Sequence, residues 1–370
     1  MQMILVTGGA GFIGSHLVRG LLKRGHRVRV LDAFVDQVHE SAPCELPADV
    51  EVIRADVRDR SAVDAALDGV EVVFHEAAEV GVGQSMYEIE RYVGANTFGT
   101  ATLLEALVAR RGQIKKVIVA SSMSIYGEGA YVCGQCGPMA PSLRPIAQLE
   151  SRDWEMRCPE CHAALQSVPT PETKPLDPAS VYAVTKQDQE QLCIITGRAY
   201  GIPTVALRYF NVYGAGQALS NPYTGVAAIF SSRLLNGQRP LIFEDGFQSR
   251  DFTHVSDIVQ ANLLAMESDA ADFQSINVGT GAATSVGRMA ELLAEGLGVT
   301  IAPETVGRFR EGDIRHCFAD ISRARSLLGY QPRVSVEEGI PKLLEWVRAQ
   351  QPVDGVERAT EELRSRGLVR

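Results

Sequence analysis

Thr7-Gly8-Gly9-Ala10-Gly11-Phe12-Ile13-Gly14 lies between a short apolar run, Met3-Ile4-Leu5-Val6, and a segment from Ser15 to Gly25. That segment carries Leu17, Val18, Leu21 and Leu22 at helical spacing. Arg27-Val28-Arg29-Val30-Leu31-Asp32 follows as a second strand ending in a carboxylate. Strand, glycine turn, helix, strand and acid, in that order, give a glycine pattern its meaning. Gly8 allows the tight turn, Gly11 lets backbone approach a pyrophosphate at a helix N-terminus, and Gly14 lets helix and strand pack closely. Asp32 is then placed for the hydroxyls of an adenosine ribose. Ala33, Phe34 and Val35 follow it without a basic residue, which favours NAD over NADP.

Further strands are expected at Val50 to Ala55, Val70 to His75 and Lys116 to Ala120. Asp56, leaving the first of these, suits an adenine contact or a cap on a helix beginning at Arg58. His75 reads as a satisfied structural histidine. Ala77 and Ala78 suit backbone packed against a cofactor. Asn96-Thr97-Phe98-Gly99-Thr100 opens a helix running to about Arg110; Asn96 supports the site from within it, or is a cap or a buried polar residue. Ser121-Ser122-Met123-Ser124-Ile125-Tyr126-Gly127 stands at the C-terminal edge of the next strand, where ligands of open α/β sheets bind. Downstream comes Tyr182-Ala183-Val184-Thr185-Lys186. Spacing of i and i+4 puts phenol and ammonium on one helix face. The Lys186 cation then lowers the Tyr182 pKa, and without such help a phenol is too weak a base near neutral pH.

The chain has 370 residues, enough for two domains or one large domain with a lobe. Its net charge of −9 argues against nucleic-acid or anionic-membrane binding. No apolar run approaches the ~20 residues of a spanning helix. The N-terminus enters a strand directly, without a basic region or cleavage site, so a cytoplasmic location is expected. Seven cysteines, four of them clustered, point to reduced thiols and metal binding rather than a disulfide scaffold.

Ser122 and Tyr182 are separated by 60 residues (182 − 122), and the four clustered cysteines lie between them. Cys133-Gly134-Gln135-Cys136 and Cys158-Pro159-Glu160-Cys161 form a Cys-x2-Cys-x21-Cys-x2-Cys pattern close to zinc-ribbon spacing. Gly137 allows a left-handed turn after the first pair. Four thiolates close a tetrahedral shell, so the zinc is expected to be structural. Two disulfides or four free thiols are the alternatives, and His162 is a bystander or a substitute ligand. The segment is polar and proline-dotted, so metal rather than a core of its own is expected to supply its folding energy.

Together the glycine pattern, Asp32, Asp56, Ser122 to Gly127 and Tyr182-x-x-x-Lys186 resemble the extended short-chain dehydrogenases/reductases, and within them the nucleotide-sugar epimerases and dehydratases. The likeness covers nearly the whole chain apart from about 128–170 and the tail. It implies an α/β fold: a Rossmann-type doubly wound parallel sheet, a smaller α/β substrate-binding lobe and a four-cysteine metal-binding insertion. The implied division is 1–215 for NAD, with the insertion at 128–170 and 252–265 returning to this domain. A nucleotide-sugar lobe then spans 216–350 and a tail 351–370. Asn277 to Gly281 is expected as an inter-domain turn, and the tail after Trp346 as a solvated helix or frayed end.

The resemblance assigns Tyr182 as general acid/base, Ser122 as the hydrogen-bond partner of the reacting sugar hydroxyl, and Lys186 as a ribose contact. The NAD contacts it implies are Gly8, Gly11, Phe12, Ile13, Gly14, Asp32, Asp56, Val57, Ala77, Ala78, Asn96, Tyr182 and Lys186. The sugar-nucleotide contacts are Ser122, Met123, Ser124, Asn211, Val226, Arg250, Arg310 and Asp313. Each of these arginines also fits a surface ion pair, and Met123 fits simple core filling. Related 4,6-dehydratases carry an Asp-Glu pair where this chain has Met123 and Ser124, so dehydration is not expected. A 4-epimerase passing through a 4-keto sugar is. The insertion-bearing branch it resembles, the dTDP-L-rhamnose 4-epimerases, suggests a dTDP-6-deoxyhexose first and a UDP-hexose or UDP-hexuronate second. A 4-keto-sugar reductase and an NAD-sensing binding protein are the other readings. A homodimer is a family expectation, and the insertion is expected to lid the sugar pocket or build an oligomer contact.

Overall fold

The protein is described from a computed structural model that covers residues 1–39 and 46–369. Seven parallel strands form its main sheet: β1 (Met3–Thr7), β2 (Arg27–Asp32), β3 (Glu51–Arg54), β4 (Val72–His75), β5 (Lys116–Ser122), β6 (Thr204–Tyr209) and β7 (Ser275–Val278). Their spatial order is β7-β6-β5-β4-β1-β2-β3. The order reverses between β1 and β4, the switch point at which open α/β sheets bind ligands. The inner strands are near-continuous apolar runs because helices cover both faces.

Two core layers result. On one face α1 (Phe12–Lys23) brings Leu17, Val18 and Leu21 against Ile4, Val6 and Ile118. It is joined there by Ile258, Ala261 and Ala265 of α5 (Val255–Glu267). On the other face α2 (Gly99–Ala109) and α3 (Val181–Tyr200) bury Leu103, Leu107, Cys193 and Ile194. Each fully buried leucine or valine contributes about 1.5–3 kcal/mol. A third core belongs to the lobe, where Phe230 and Leu234 of α4 (Val226–Leu235) meet Met289, Leu293, Ile340 and Leu344.

Several local expectations need correction. Residues Asn277 and Val278 end β7, an edge strand of the main sheet, so a boundary at 215 does not divide that sheet from the lobe. The helix expected from Arg58 starts at Arg60 instead, and Asp59 rather than Asp56 caps it by accepting the N–H groups of Ser61 and Ala62. Asn96 does not open a helix. Helix is continuous from Ile89, and Val93–Phe98 is a π-turn within it. The tail packs instead of fraying: Val356–Ser365 is a helix with Ala359 and Leu363 buried. Arg366 stands over the Tyr87 ring, and Leu368 O accepts from Glu311 N at 3.1 Å.

The insertion folds as a small antiparallel sheet, Gly137–Met139, Ala130–Cys133 and Gln166–Val168 in that order. It does own a small core. Tyr131, Met156 and Leu165 are buried around Cys133 and Cys158. No helix among the described residues is long and apolar enough to cross a membrane.

Candidate active site

At the C-terminal edge of the sheet the glycine turn after β1 touches Ala77 after β4, and α3 reaches that loop through Gln189 and the end of β5 through Lys186. Gly8 sits at φ +69°, and a Cβ there would lie 2.7 Å from Ala77 N. A Cβ on Gly14 would lie 2.2 Å from Gly8 O, so helix and turn touch backbone to backbone. The N-terminus of α1 has no side-chain cap. Its free first-turn N–H groups and the close glycine cradle fit a pyrophosphate. Phe12 and Ile13 form the helix's first turn, and Phe12 packs edge-on to His16 at 5.9 Å.

Asp32 is buried and accepts Ala10 N at 2.9 Å and Phe34 N at 2.8 Å. It therefore holds the glycine turn as well as facing the cofactor region. Burial pushes its carboxyl up, but the His39 contact and the two N–H groups win, and the net shift is downward. Asp56 is engaged by Arg58, which lowers its pKa, and Val57 packs beneath Gly99. Ala77 and Ala78 are half-buried after β4.

Ser122 ends β5. Its Oγ accepts from Ser124 Oγ at 2.9 Å and from Ser124 N at 3.2 Å, capping the 3-10 turn Met123–Tyr126. Tyr182 lies opposite on the first turn of α3. Burial raises its phenol and hydrogen bonding with Ser122 offsets part of that rise. Lys186 follows one helical turn after Tyr182 on α3. Its ammonium is engaged elsewhere, donating to Ala120 O at 2.5 Å and Gln189 Oε1 at 2.8 Å. Burial brings Lys186 down to about 8, against the pull of Glu76.

Three flanking residues escape the motif reading. Gln189, fully buried, bonds Lys186, Thr100 and Ala77 O, and so ties the lysine to the alanine loop. Its position three residues after Lys186, on the same face of the helix, was the available signal. Glu76 accepts from Tyr209 Oη at 2.8 Å and is pushed up to about 7 by burial. Its signal was an acid set between a buried strand end and two alanines. Thr185 receives Asn96 Nδ2 at 2.9 Å, while Asn96 also exchanges bonds with the Glu79 backbone. Asn96 thereby fixes α3 to the π-turn. His75 is structural, bonded to Thr7 and Thr100.

The other wall combines the turn after β5, the strand Asn211–Tyr213 and the lobe. Met123 is buried and packs with Tyr126 and Phe210. Asn211 Oδ1 is buried without a protein partner, as a ligand-facing group would be. Val226 begins α4, whose N-terminus has no side-chain cap. Arg250 donates to Ile314 O, Arg315 O and Ser249 O. Arg310 pairs with Asp313 at 2.7 Å and stands over Phe243. Arg250, on the short strand Ser249–Arg250, is thus tied by protein contacts to the loop that carries Arg310.

At the insertion the four Sγ atoms of Cys133, Cys136, Cys158 and Cys161 lie within 4.8 Å of one another, and none is in a disulfide. A tetrahedral zinc at ~2.3 Å from each sulfur needs sulfurs ~3.8 Å apart, so the donor set fits such an ion. Gly137 has the left-handed φ of +86°. The Gln135 and Cys136 N–H groups bring the Cys133 thiol down to about 7. His162 is exposed and stands outside the cluster.

Comparison with known proteins agrees with this geometry. Residues 4–143 match the model of the NAD dependent epimerase/dehydratase family, and residues 159–343 that of GDP-mannose 4,6 dehydratase. The chain is 36% identical to a dTDP-L-rhamnose 4-epimerase of Burkholderia thailandensis, over 94% of this chain and 95% of that one. Among solved structures, the UDP-glucose 4-epimerase of Thermotoga maritima with UDP-glucose has a TM-score of 0.76 at 33% identity, covering 94% of this chain and 98% of its own. The UDP-glucuronic acid 4-epimerase of Bacillus cereus, in complex with UDP-glucuronic acid and NAD, has a TM-score of 0.75 at 29% identity, covering 94% and 99%. With its glycine cradle, its acid-ended second strand and Ser122 facing Tyr182, the chain belongs to the NAD-dependent epimerase/dehydratase family of extended short-chain dehydrogenases/reductases, as an isomerase of the nucleotide-sugar epimerase class.

Proposed function

We propose that this enzyme is a nucleotide-sugar 4-epimerase whose substrate is a dTDP-6-deoxyhexose such as dTDP-L-rhamnose. One observation carries the reading: Ser122 and Tyr182 face each other at the sheet edge while Met123 and Ser124 offer no carboxylate for dehydration. The chemistry supplied by bound NAD is reversible acceptance of a hydride from C4. Tyr182 takes the C4 hydroxyl proton and later returns it, and Ser122 orients that hydroxyl. Lys186 holds the nicotinamide ribose, and its cation favours phenolate once the cofactor is in place. The 4-keto sugar turns about its diphosphate, so reduction occurs on the opposite face and no net redox results.

Gly8, Gly11 and Gly14 receive the pyrophosphate and Asp32 the adenosine ribose. Arg250, Arg310 and the start of α4 at Val226 receive the sugar diphosphate, with Asn211 beside it. Asp313 orients Arg310. The cluster of four cysteines holds a structural zinc. The homodimer reading rests on exposed apolar residues shared by two adjoining helical elements: Ile89, Val93 and Phe98 on one, Val184, Ile195 and Tyr200 on the other. Free thiols suit a reducing, cytoplasmic setting.

A UDP-hexose or UDP-hexuronate is the second substrate reading, favoured by the UDP-sugar enzymes of similar structure. The test is incubation of the purified protein, without added cofactor, with a panel of dTDP- and UDP-sugars. Appearance of a C4-inverted product is expected, fastest with dTDP-L-rhamnose. Turnover that requires stoichiometric NADH would instead make the enzyme a reductase.

A further inference from the structure

The cysteine insertion and the substrate lobe meet through a cluster of ion pairs, buried at Arg144, Arg315, Glu128 and Glu244 and open to solvent at Glu155, that the epimerase chemistry does not call for. Arg315 of the lobe is fully buried. Its guanidinium contacts Glu155 of the insertion at 3.2 Å, Glu244 at 2.9 Å and Asp245 at 2.6 Å. Its own N–H donates at 2.6 Å to Glu128, the insertion's first residue. From the insertion, Arg144 grips Glu244 with both arms of its fork, at 2.9 and 2.8 Å, and donates to Asp313 O at 3.2 Å. Trp154 packs edge-on to Phe309 at 6.5 Å. The insertion therefore holds this loop at Phe309, Asp313, Arg315 and His316, while Arg310 and Glu311 between them pair with the tail at Val369 and Leu368.

That same backbone carries the anion-binding candidates. Ile314 O and Arg315 O orient the Arg250 guanidinium, at 2.7 and 3.0 Å. Arg310 and Asp313 are part of it. Buried ion networks add little net stability compared with apolar packing; their best-attested use is to fix register. We infer that Arg144, Glu155 and Arg315 are positioning residues, through which the cysteine insertion sets the loop that presents Arg250 and Arg310 to the substrate diphosphate. The insertion then governs nucleotide-sugar affinity without touching C4. This rests on the proposed diphosphate role of the two arginines.

The test compares Glu155→Gln and Arg144→Lys with the wild type, and with Arg157→Gln, which breaks only an exposed pair with Asp153 on the same insertion. Binding of dTDP and UDP is measured by calorimetry. KM and kcat are measured for epimerisation, and hydrogen exchange is followed at residues 309–316. NAD content and melting temperature report folding. Both clasp variants are expected to weaken nucleoside-diphosphate binding and raise KM by about tenfold, with a much smaller change in kcat. Exchange at 309–316 should quicken, and Arg157→Gln should match wild type. Unchanged binding and exchange in folded Glu155→Gln and Arg144→Lys overturns the inference, as does a fall in kcat at constant KM. Should the wild type bind dTDP or UDP yet epimerise nothing, the functional reading falls while the coupling is still read from binding and exchange. A wild type that binds neither nucleotide overturns both.

Discussion

The two walls of the cleft are built by different physics. The cofactor wall is backbone and neutral hydrogen bonds: glycines at van der Waals limits, Asn96 and Gln189 bridging elements, and strands buried on both faces. The substrate wall hangs from charged clasps, with Arg144 and Arg315 buried among Glu128, Glu155, Glu244 and Asp245. Close packing tolerates almost no added volume, so the first wall is set once and for all. Ion pairs fix direction while leaving shape adjustable, which suits a wall that must admit a sugar turning over.

Four perturbations set the walls apart. The largest effect is expected from Tyr182→Phe, which removes the proposed proton carrier and leaves the cradle intact. Epimerisation should fall by about 10²–10⁴-fold with NAD content unchanged, as read by product formation and cofactor release on denaturation. Gly14→Ala attacks the cofactor wall itself, since its methyl would meet the Gly8 backbone. A loss of about 1–3 kcal/mol in stability is expected together with loss of NAD, measured by denaturant unfolding and absorbance. Cys158→Ser acts only on the other wall. Zinc should drop from about one per chain toward none, and melting should come earlier, while NAD stays bound. Retained zinc in that variant would sink the metal reading.

The smallest effect is a pH limb. As pH rises through about 8, Lys186 loses its proton and kcat should decline; Lys186→Met should lack that limb. Stability moves the other way for this group. An unfolded lysine keeps its proton to about 10.4, so between the two values the unfolded state binds more protons and the burial cost is relieved.

The same contrast decides what was legible in the sequence. Glycine turn, strands and the i,i+4 pair of α3 obey local rules, so their juxtaposition at the sheet edge could be read directly. The cysteine pairs announced a cluster by spacing alone. What escaped depends on distant partners. Nothing local marks Arg315 as a buried hub, because its partners lie up to 187 residues away. Residues 277–281 read as a turn because Asn277-Val278-Gly279 lacks the apolar run of an inner strand, yet β6 recruits Asn277 and Val278, with the two residues before them, as an edge. The tail reads as solvated because its apolar content is low, and its few buried residues, Ala359, Leu363 and Val369, are enough to seat it.

The π-turn at Val93–Phe98 has a consequence of register. Such a turn carries one residue more than an α-turn, so everything before it is rotated by about 100° relative to everything after it. From inside that turn the side chain of Asn96 reaches both the Glu79 backbone and Thr185. A single-residue deletion between Val93 and Ala95 would heal the helix into a regular one and improve its own hydrogen bonding. It would also swing the downstream face out of phase with α3. The irregular helix is thus the phase-setting element between the cofactor loop and the helix that bears Tyr182.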